Sequence, residues 1–197
     1  MSTGQWIPTP DGDAWYFDAG AESLDFASTG PVGGGAELGE RLHAPRDLGA
    51  WLAERVPTLL PDDVSERDLA DALILRGALA RLYTAAADGG EYDVDDVDTL
   101  NLFAATPDIP PALAGGRRQA GTGRIRPAQA LSVLARDAIA ALGTPGGRIR
   151  RCAADDCRIV YRDESRTNSR RWCSMQRCGN RAKVRAHRAR ARQAAAV

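Results

Sequence analysis

Four cysteines, all in the last quarter of the chain, are the residues best equipped for chemistry. Cys152 and Cys157 enclose four residues, Cys173 and Cys178 enclose four more, and fifteen residues separate the pairs. This C-x4-C … C-x4-C layout reads as one tetrahedral thiolate site for a single structural Zn2+, with Cys152, Cys157, Cys173 and Cys178 as ligands. The start, Met1-Ser2-Thr3-Gly4-Gln5-Trp6-Ile7-Pro8, lacks the basic and apolar stretches of a secretion signal. Nothing approaches the roughly 18 consecutive apolar residues of a membrane helix. A cytoplasmic location is expected, and in that reducing setting clustered thiols serve as metal ligands rather than disulfides. Four thiolates leave zinc no open position for catalysis. Only His43 and His187 occur, with no His-Glu-x-x-His motif and no nucleophile elbow, so an enzyme is not expected.

The cysteine segment is also the most basic stretch. Residues 148–197 hold 15 basic and 4 acidic residues, net +11, whereas residues 1–147 hold 11 basic and 22 acidic, net −11. Such asymmetry points to a polyanionic partner. Lys183 is the only lysine among 26 basic residues, so the preference for arginine is chain-wide and says nothing about phosphate.

Beyond Gly179 the sequence is helix-forming, without proline or glycine. At about 100° per residue, Arg177, Arg181, Arg185, Arg188 and Arg192 fall within about 80° of one another. Ala182, Ala186 and Ala189 form a small-residue face expected to pack on the zinc core. Arg177, Arg181, Lys183, Arg185, Arg188 and Arg192 are therefore the candidate nucleic-acid contacts, on DNA phosphates or guanine edges, with RNA as an alternative. Two competing readings are a solvated helix face, and a protein-interaction module that docks on acidic surfaces, including the front of this chain. Asn180 either reads adenine or hydrogen-bonds the knuckle beside Cys178, the second being preferred. Trp172 either stacks on a base or packs in the small core, the second being preferred.

The elements must bring the two cysteine pairs together. Ile159–Arg162 and Arg170–Trp172 read as two short strands around a polar turn at 163–169, giving a knuckle, a hairpin, a second knuckle and a helix, like a treble clef. The large apolar residues from 148 to 197 are only Ile149, Ile159, Val160, Tyr161, Trp172, Met175, Val184 and Val197. A unit of about 50 residues with so little core needs a metal.

Residues 14–142 can bury a core of their own. Residues 1–13 are expected to be loose. Trp15–Phe17 and Leu24–Phe26 read as a hairpin, and residues 30–35 as a glycine-rich loop lacking the Gly-Lys-Ser/Thr of a phosphate loop. One helix carries Leu48, Trp51, Leu52 and Val56. A second runs from a capping box at Ser65 to Gly89. A third, behind Asp93, carries Val97, Leu100 and Phe103, and a fourth runs from Pro127 to Leu142. Asp93, Asp95, Asp96 and Asp98 lack the spacing of a calcium loop and read as a helix start. Residues 117–126 read as a second hairpin, and residues 143–147 as a linker with few obligatory contacts across it. The expected fold class is α+β: a mostly helical domain at 14–142 with short hairpins, then a small treble-clef-like zinc module at 148–197.

Arg151-Cys152, Tyr161-Arg162-Asp163, Ser165-Arg166, Arg171-Trp172-Cys173-Ser174-Met175 and Cys178-Gly179-Asn180-Arg181-Ala182-Lys183 closely resemble the CGNR zinc finger. That resemblance implies the same four cysteine ligands. The stretch before it resembles the ABATE domain, which usually precedes this finger. Leu24-Asp25-Phe26-Ala27-Ser28-Thr29 resembles its Leu-Asp-Phe-x-Asn-Thr opening, with serine in place of asparagine, and Leu100-Asn101-Leu102 and Ala135-Arg136-Asp137-Ala138 also fit. Together they imply a bacterial, stress-linked transcription regulator that binds DNA, whose front domain senses a small molecule or forms a homodimer.

Overall fold

The computed structural model describes residues 3–8, 14–31, 39–56, 58–109, 111, 113, 125–144, 146 and 148–195. The hairpin expected at 117–126, apart from Ile125 and Arg126, lies outside these, as do much of the glycine-rich loop and two linker positions.

Strand β1 (Gln5–Pro8) runs antiparallel to β2 (Ala14–Phe17), with Gln5 opposite Phe17 and Ile7 opposite Trp15. The two-residue period of a strand turns Ile7, Trp15 and Phe17 inward and Trp6 and Tyr16 outward. The partner of Trp15–Phe17 is thus part of the segment expected to be loose. Leu24–Phe26 is not a strand but lies in helix α1 (Glu22–Ala27), which packs against two longer helices, α3 (Glu66–Asp88) and α5 (Pro127–Leu142). Ser23 through Ala27 are all buried, so this helix has no polar face to reveal its period. Polar Ser23 and Asp25 alternate with Leu24 and Phe26, which imitates the two-residue period of a strand.

The remaining helices follow the sequence signals. Helix α2 (Pro45–Ala53) starts on its proline. Ser65 caps α3 by accepting from the Asp68 N–H at 3.2 Å, while the Asp68 carboxylate accepts from the Ser65 N–H at 2.9 Å. Gly89 ends α3 at φ +68°, a conformation in which glycine carries no side-chain penalty. Asp93 caps α4 (Val94–Ala105), and Asp96 is held by Arg81 at 2.6 and 2.9 Å, so the acidic run is indeed a helix start. Among the described residues no helix is long and apolar enough to cross a membrane.

After α5 the chain forms β3 (Ile149–Arg151), antiparallel to β4 (Val160–Arg162), with Ile149 opposite Arg162. Arg170–Trp172, expected as a strand, is not one, because its backbone serves other partners. The buried Asp163 carboxylate accepts from Ser165 N–H at 2.9 Å and Arg170 N–H at 2.8 Å, while the Arg171 carbonyl accepts from Ala153 N–H at 2.8 Å.

The expectation of few contacts across the linker does not hold. Strand β3 packs on α3, and Ile149, Ile159, Val160 and Tyr161 join the same buried core as the front helices. The Arg162 N–H donates to the Ala19 carbonyl at 2.7 Å. Arg151 grips Asp88, with Nη2 to Oδ2 at 2.7 Å. At Gly20, φ +81°, a Cβ would stand 2.5 Å from the Arg162 carbonyl oxygen, so glycine alone permits this approach. The small module, short of apolar residues, completes its core on its neighbour. The overall class is α+β, mostly helical with two small antiparallel hairpins.

Candidate metal centre and nucleic-acid interface

The zinc knuckles are built from the strand ends. Cys152 follows β3 directly, and its N–H continues the ladder by donating to the Ile159 carbonyl at 2.9 Å. Cys157 closes the first knuckle with its N–H on the Ala154 carbonyl at 2.9 Å. Cys173 follows the Arg170–Trp172 segment, and its N–H points at the Cys152 sulfur, 3.4 Å away. Cys178 lies in a π-helical turn (Met175–Gly179) that Ser174 caps, its hydroxyl accepting from Arg177 N–H.

All four Sγ atoms lie within 4.8 Å of one another, and all four residues are buried. Cys157 and Cys173 are 3.7 Å apart at sulfur, and Cys173 and Cys178 are 3.6 Å apart. Four sulfurs at about 2.3 Å from one zinc stand about 3.8 Å apart in a tetrahedron, so the cluster fits the ion. Its charge suits one as well. Cys157 is pushed up to about 12 by its contact with Cys152, and Cys173 is raised by both neighbours, because a second thiolate beside the first is disfavoured. A dication supplies the charge that lets all four ionise. The chain holds one structural zinc, which ties two knuckles together and leaves no free coordination position.

Arginines surround this centre. Arg170 lies 4.3 Å over the Tyr161 ring, donates to the Trp172 carbonyl at 3.0 Å and reaches the Cys173 carbonyl. It also donates to the Asp18 carbonyl at 2.9 Å, clamping the second knuckle to the front domain. Nothing in the sequence distinguished Arg170 from the other arginines. Asp25, legible in the sequence only as part of the Leu24–Thr29 motif, organises the same docking surface. Its buried carboxylate accepts from Gly4 N–H at 2.6 Å and Ala19 N–H at 3.0 Å, which turns the Ala19 carbonyl toward Arg162. Burial raises the Asp25 pKa to about 6.

Helix α6 (Asn180–Ala195) leaves the zinc centre through the π turn. Asn180 donates from its side chain to the Gln176 carbonyl at 3.2 Å, tying helix to turn. Every residue from Lys183 to Ala194 is exposed. Ala186 and Ala189 therefore do not pack on the zinc core as expected, since the π turn and the buried Cys178 and Gly179 already close it. The structure separates the candidate contacts. Arg177 lies in the π turn, out of phase with α6, and its guanidinium sits 5.0 Å over the Trp15 ring. Arg181 and Arg185 both meet Asp156, at 3.2 and 2.7 Å, and Arg181 also donates to the Cys178 sulfur at 3.3 Å. Lys183, Arg188 and Arg192 are exposed, with no ion pair among the described residues.

A helical front domain completed by a four-cysteine zinc module defines a zinc-finger protein. Residues 20–145 match the ABATE family, described as "Putative stress-induced transcription regulator", and residues 148–191 match the CGNR zinc finger. The chain belongs to the ABATE family and carries a CGNR finger at its C-terminal end. No curated protein matches it.

Proposed function

We propose that this protein is a DNA-binding transcription regulator without catalytic chemistry, whose zinc centre orients α6 for contact with the duplex. One observation carries the reading. Helix α6 bears Arg181, Lys183, Arg185, Arg188, Arg190 and Arg192, has no acidic residue, and is exposed over most of its length. Like charges three and four residues apart destabilise a helix, and a 16-residue helix without packing is marginal on its own. A polyanion removes that repulsion. The B-DNA major groove, about 12 Å wide, admits such a helix. Regulation falls to the front domain, through an effector or a homodimer.

Replacing Arg181, Arg185 and Arg188 together with glutamine leaves the four cysteines untouched. Binding to all sequences should weaken, and the slope of log K against log salt should become shallower by up to about 3. If affinity and slope both survive, α6 is a solvated face. The contact of Asp156 with Arg181 and Arg185 favours a second reading, in which the helix docks on an acidic protein surface. Tight, salt-sensitive capture of duplex DNA by the full protein separates the two.

A further inference from the structure

A cleft of about 460 Å3 lies where the β1–β2 hairpin meets the second zinc knuckle. Tyr16, Trp172 and Met175 line it, together with Asp18, Arg171 and Ser174. Tyr16 projects from the outer face of the hairpin and meets Trp6 edge-on, with ring centroids 5.6 Å apart. Arg171 is exposed, its guanidinium 5.0 Å from the Trp172 ring, and it makes no ion pair among the described residues. One Asp18 carboxylate oxygen accepts from Gly20 N–H at 2.8 Å, and among the described residues nothing donates to the other. Ser174 and Met175 begin the turn that becomes α6, so this cleft adjoins the root of the basic helix.

The lining is mixed in a specific way. Aromatic walls suit a flat ring, the open carboxylate oxygen suits a donor on the ring's edge, and the guanidinium suits an anion just outside. A small aromatic acid would satisfy the walls and the arginines but offer no edge donor to the open Asp18 oxygen. A nucleotide of a DNA strand satisfies all three, since the base has two stacking faces, the phosphate lies outside, and cytosine, adenine and guanine each carry an edge amino group that an Asp accepts from. Thymine presents its only edge N–H between two carbonyls, which a carboxylate repels.

We infer that this cleft takes a single unstacked, amino-bearing base, with cytosine as the probe, from the same DNA that lies along α6. The inference rests on the DNA reading above. The base leaves the stack, slides between Tyr16 and Trp172, and gives its amino hydrogen to Asp18, while Arg171 meets the flanking phosphate.

The test uses the full-length, zinc-loaded protein and fluorescence anisotropy at one fixed salt concentration. Four labelled duplexes are compared: fully paired, or with a one-nucleotide bulge that is dC, dT or abasic. The abasic bulge controls for a more bendable duplex. The dC bulge should bind about tenfold more tightly than the abasic one, within the range of one base–aromatic stack, with dT in between. Asp18→Asn, which keeps an acceptor for Gly20, should bring dC and dT level. Arg171→Gln, a surface change, should shrink the dC advantage, and Tyr16→Leu should reduce the dC bulge to the abasic value. Equal binding of dC and abasic bulges overturns the inference and leaves the DNA reading standing. So does a dC preference that survives Asp18→Asn. Failure to bind even the paired duplex at low salt overturns both.

Discussion

Residues 148–179 and the helix at 180–195 are equally rich in arginine, yet they use it in opposite ways. In the first stretch several guanidinium groups are turned onto the protein itself, although Arg158, Arg166 and Arg171 are exposed. Arg148 donates to the Asp163 carbonyl at 3.0 Å, Arg151 holds Asp88, Arg170 reaches three carbonyls, and Arg177 covers Trp15. In the second stretch, Lys183, Arg188, Arg190 and Arg192 are exposed with no ion pair among the described residues, and only Arg181 and Arg185 find a carboxylate. A net charge of +11 therefore overstates the surface open to a partner. Arg148, Arg151 and Arg170 act as hydrogen-bond cross-links in a module with little core. Those of α6 supply the exposed charge on which the DNA reading rests.

Removing the metal strikes the first stretch hardest. Cys173→Ser should abolish stoichiometric zinc, measured by mass spectrometry, and unfold the segment at 148–179. Structural zinc sites of this size contribute roughly 10–16 kcal/mol at neutral pH, far more than the rest of so small a module can supply. Because Ile149, Val160 and Tyr161 complete the front core, the front helices should also melt at a lower temperature while keeping their circular dichroism at 25 °C. A segment that stays folded in strong chelator would end the structural-zinc reading.

Arg170→Gln should separate cross-linking from partner binding. It removes three donated bonds and the contact over Tyr161, and should lower stability by about 2–3 kcal/mol with zinc retained. The salt slope of DNA binding should be unchanged, the reverse of what glutamine at Arg181, Arg185 and Arg188 should do. A shallower slope in Arg170→Gln would mean that the two stretches share the footprint.

The surface on which the finger docks should respond to pH through Asp25. Its folded pKa of about 6 lies above the usual carboxylate value of 3.8, so the fold prefers the protonated form. Its contribution is greatest below about pH 4 and is lost as pH rises through about 6, a difference worth about 3 kcal/mol. Asp25→Asn should remove that dependence. Melting temperatures of the two proteins, measured from pH 4 to 7, should shift against each other in that window. Zinc release in acid affects both alike, so a constant difference would show that Asp25 does not titrate there.

What could be read in advance follows the range of each signal. The cysteine spacing, the capping box at Ser65, the stop at Gly89 and the start at Pro127 are local patterns, and each is where it was expected. The pairing of β1 with β2 was not legible, because Gln5–Pro8 is short and flanked by prolines and glycine. Helix α1 hid its period by being buried on every side. The roles of Asp25, Arg170 and Gly20 depend on contacts between residues as much as 152 positions apart in sequence. The 100° step holds along α6 but fails at Arg177, where a π turn breaks it.

The smallest expected effect tests the helix most directly. Asp156 in the first knuckle pairs with Arg181 at 3.2 Å and with Arg185 at 2.7 Å, and the two arginines hold its carboxyl below the usual range. A phosphate that binds either arginine competes with this carboxylate. The knuckle therefore holds the root of the stripe in a weak internal pairing that a polyanion displaces. Asp156→Asn keeps the side-chain shape and removes the competing charge. Duplex affinity should rise about two- to fivefold at low salt, the scale of an exposed pair, and the gain should fade as salt screens it. The variant should also help distinguish the partner, because Arg181 and Arg185 would then meet phosphate at full charge. If affinity does not change while glutamine at Arg188 and Arg192 weakens binding, contact is confined to the outer turns of α6. If affinity falls, Asp156 orients the two arginines for the duplex, and the knuckle belongs to the interface as well as to the zinc centre.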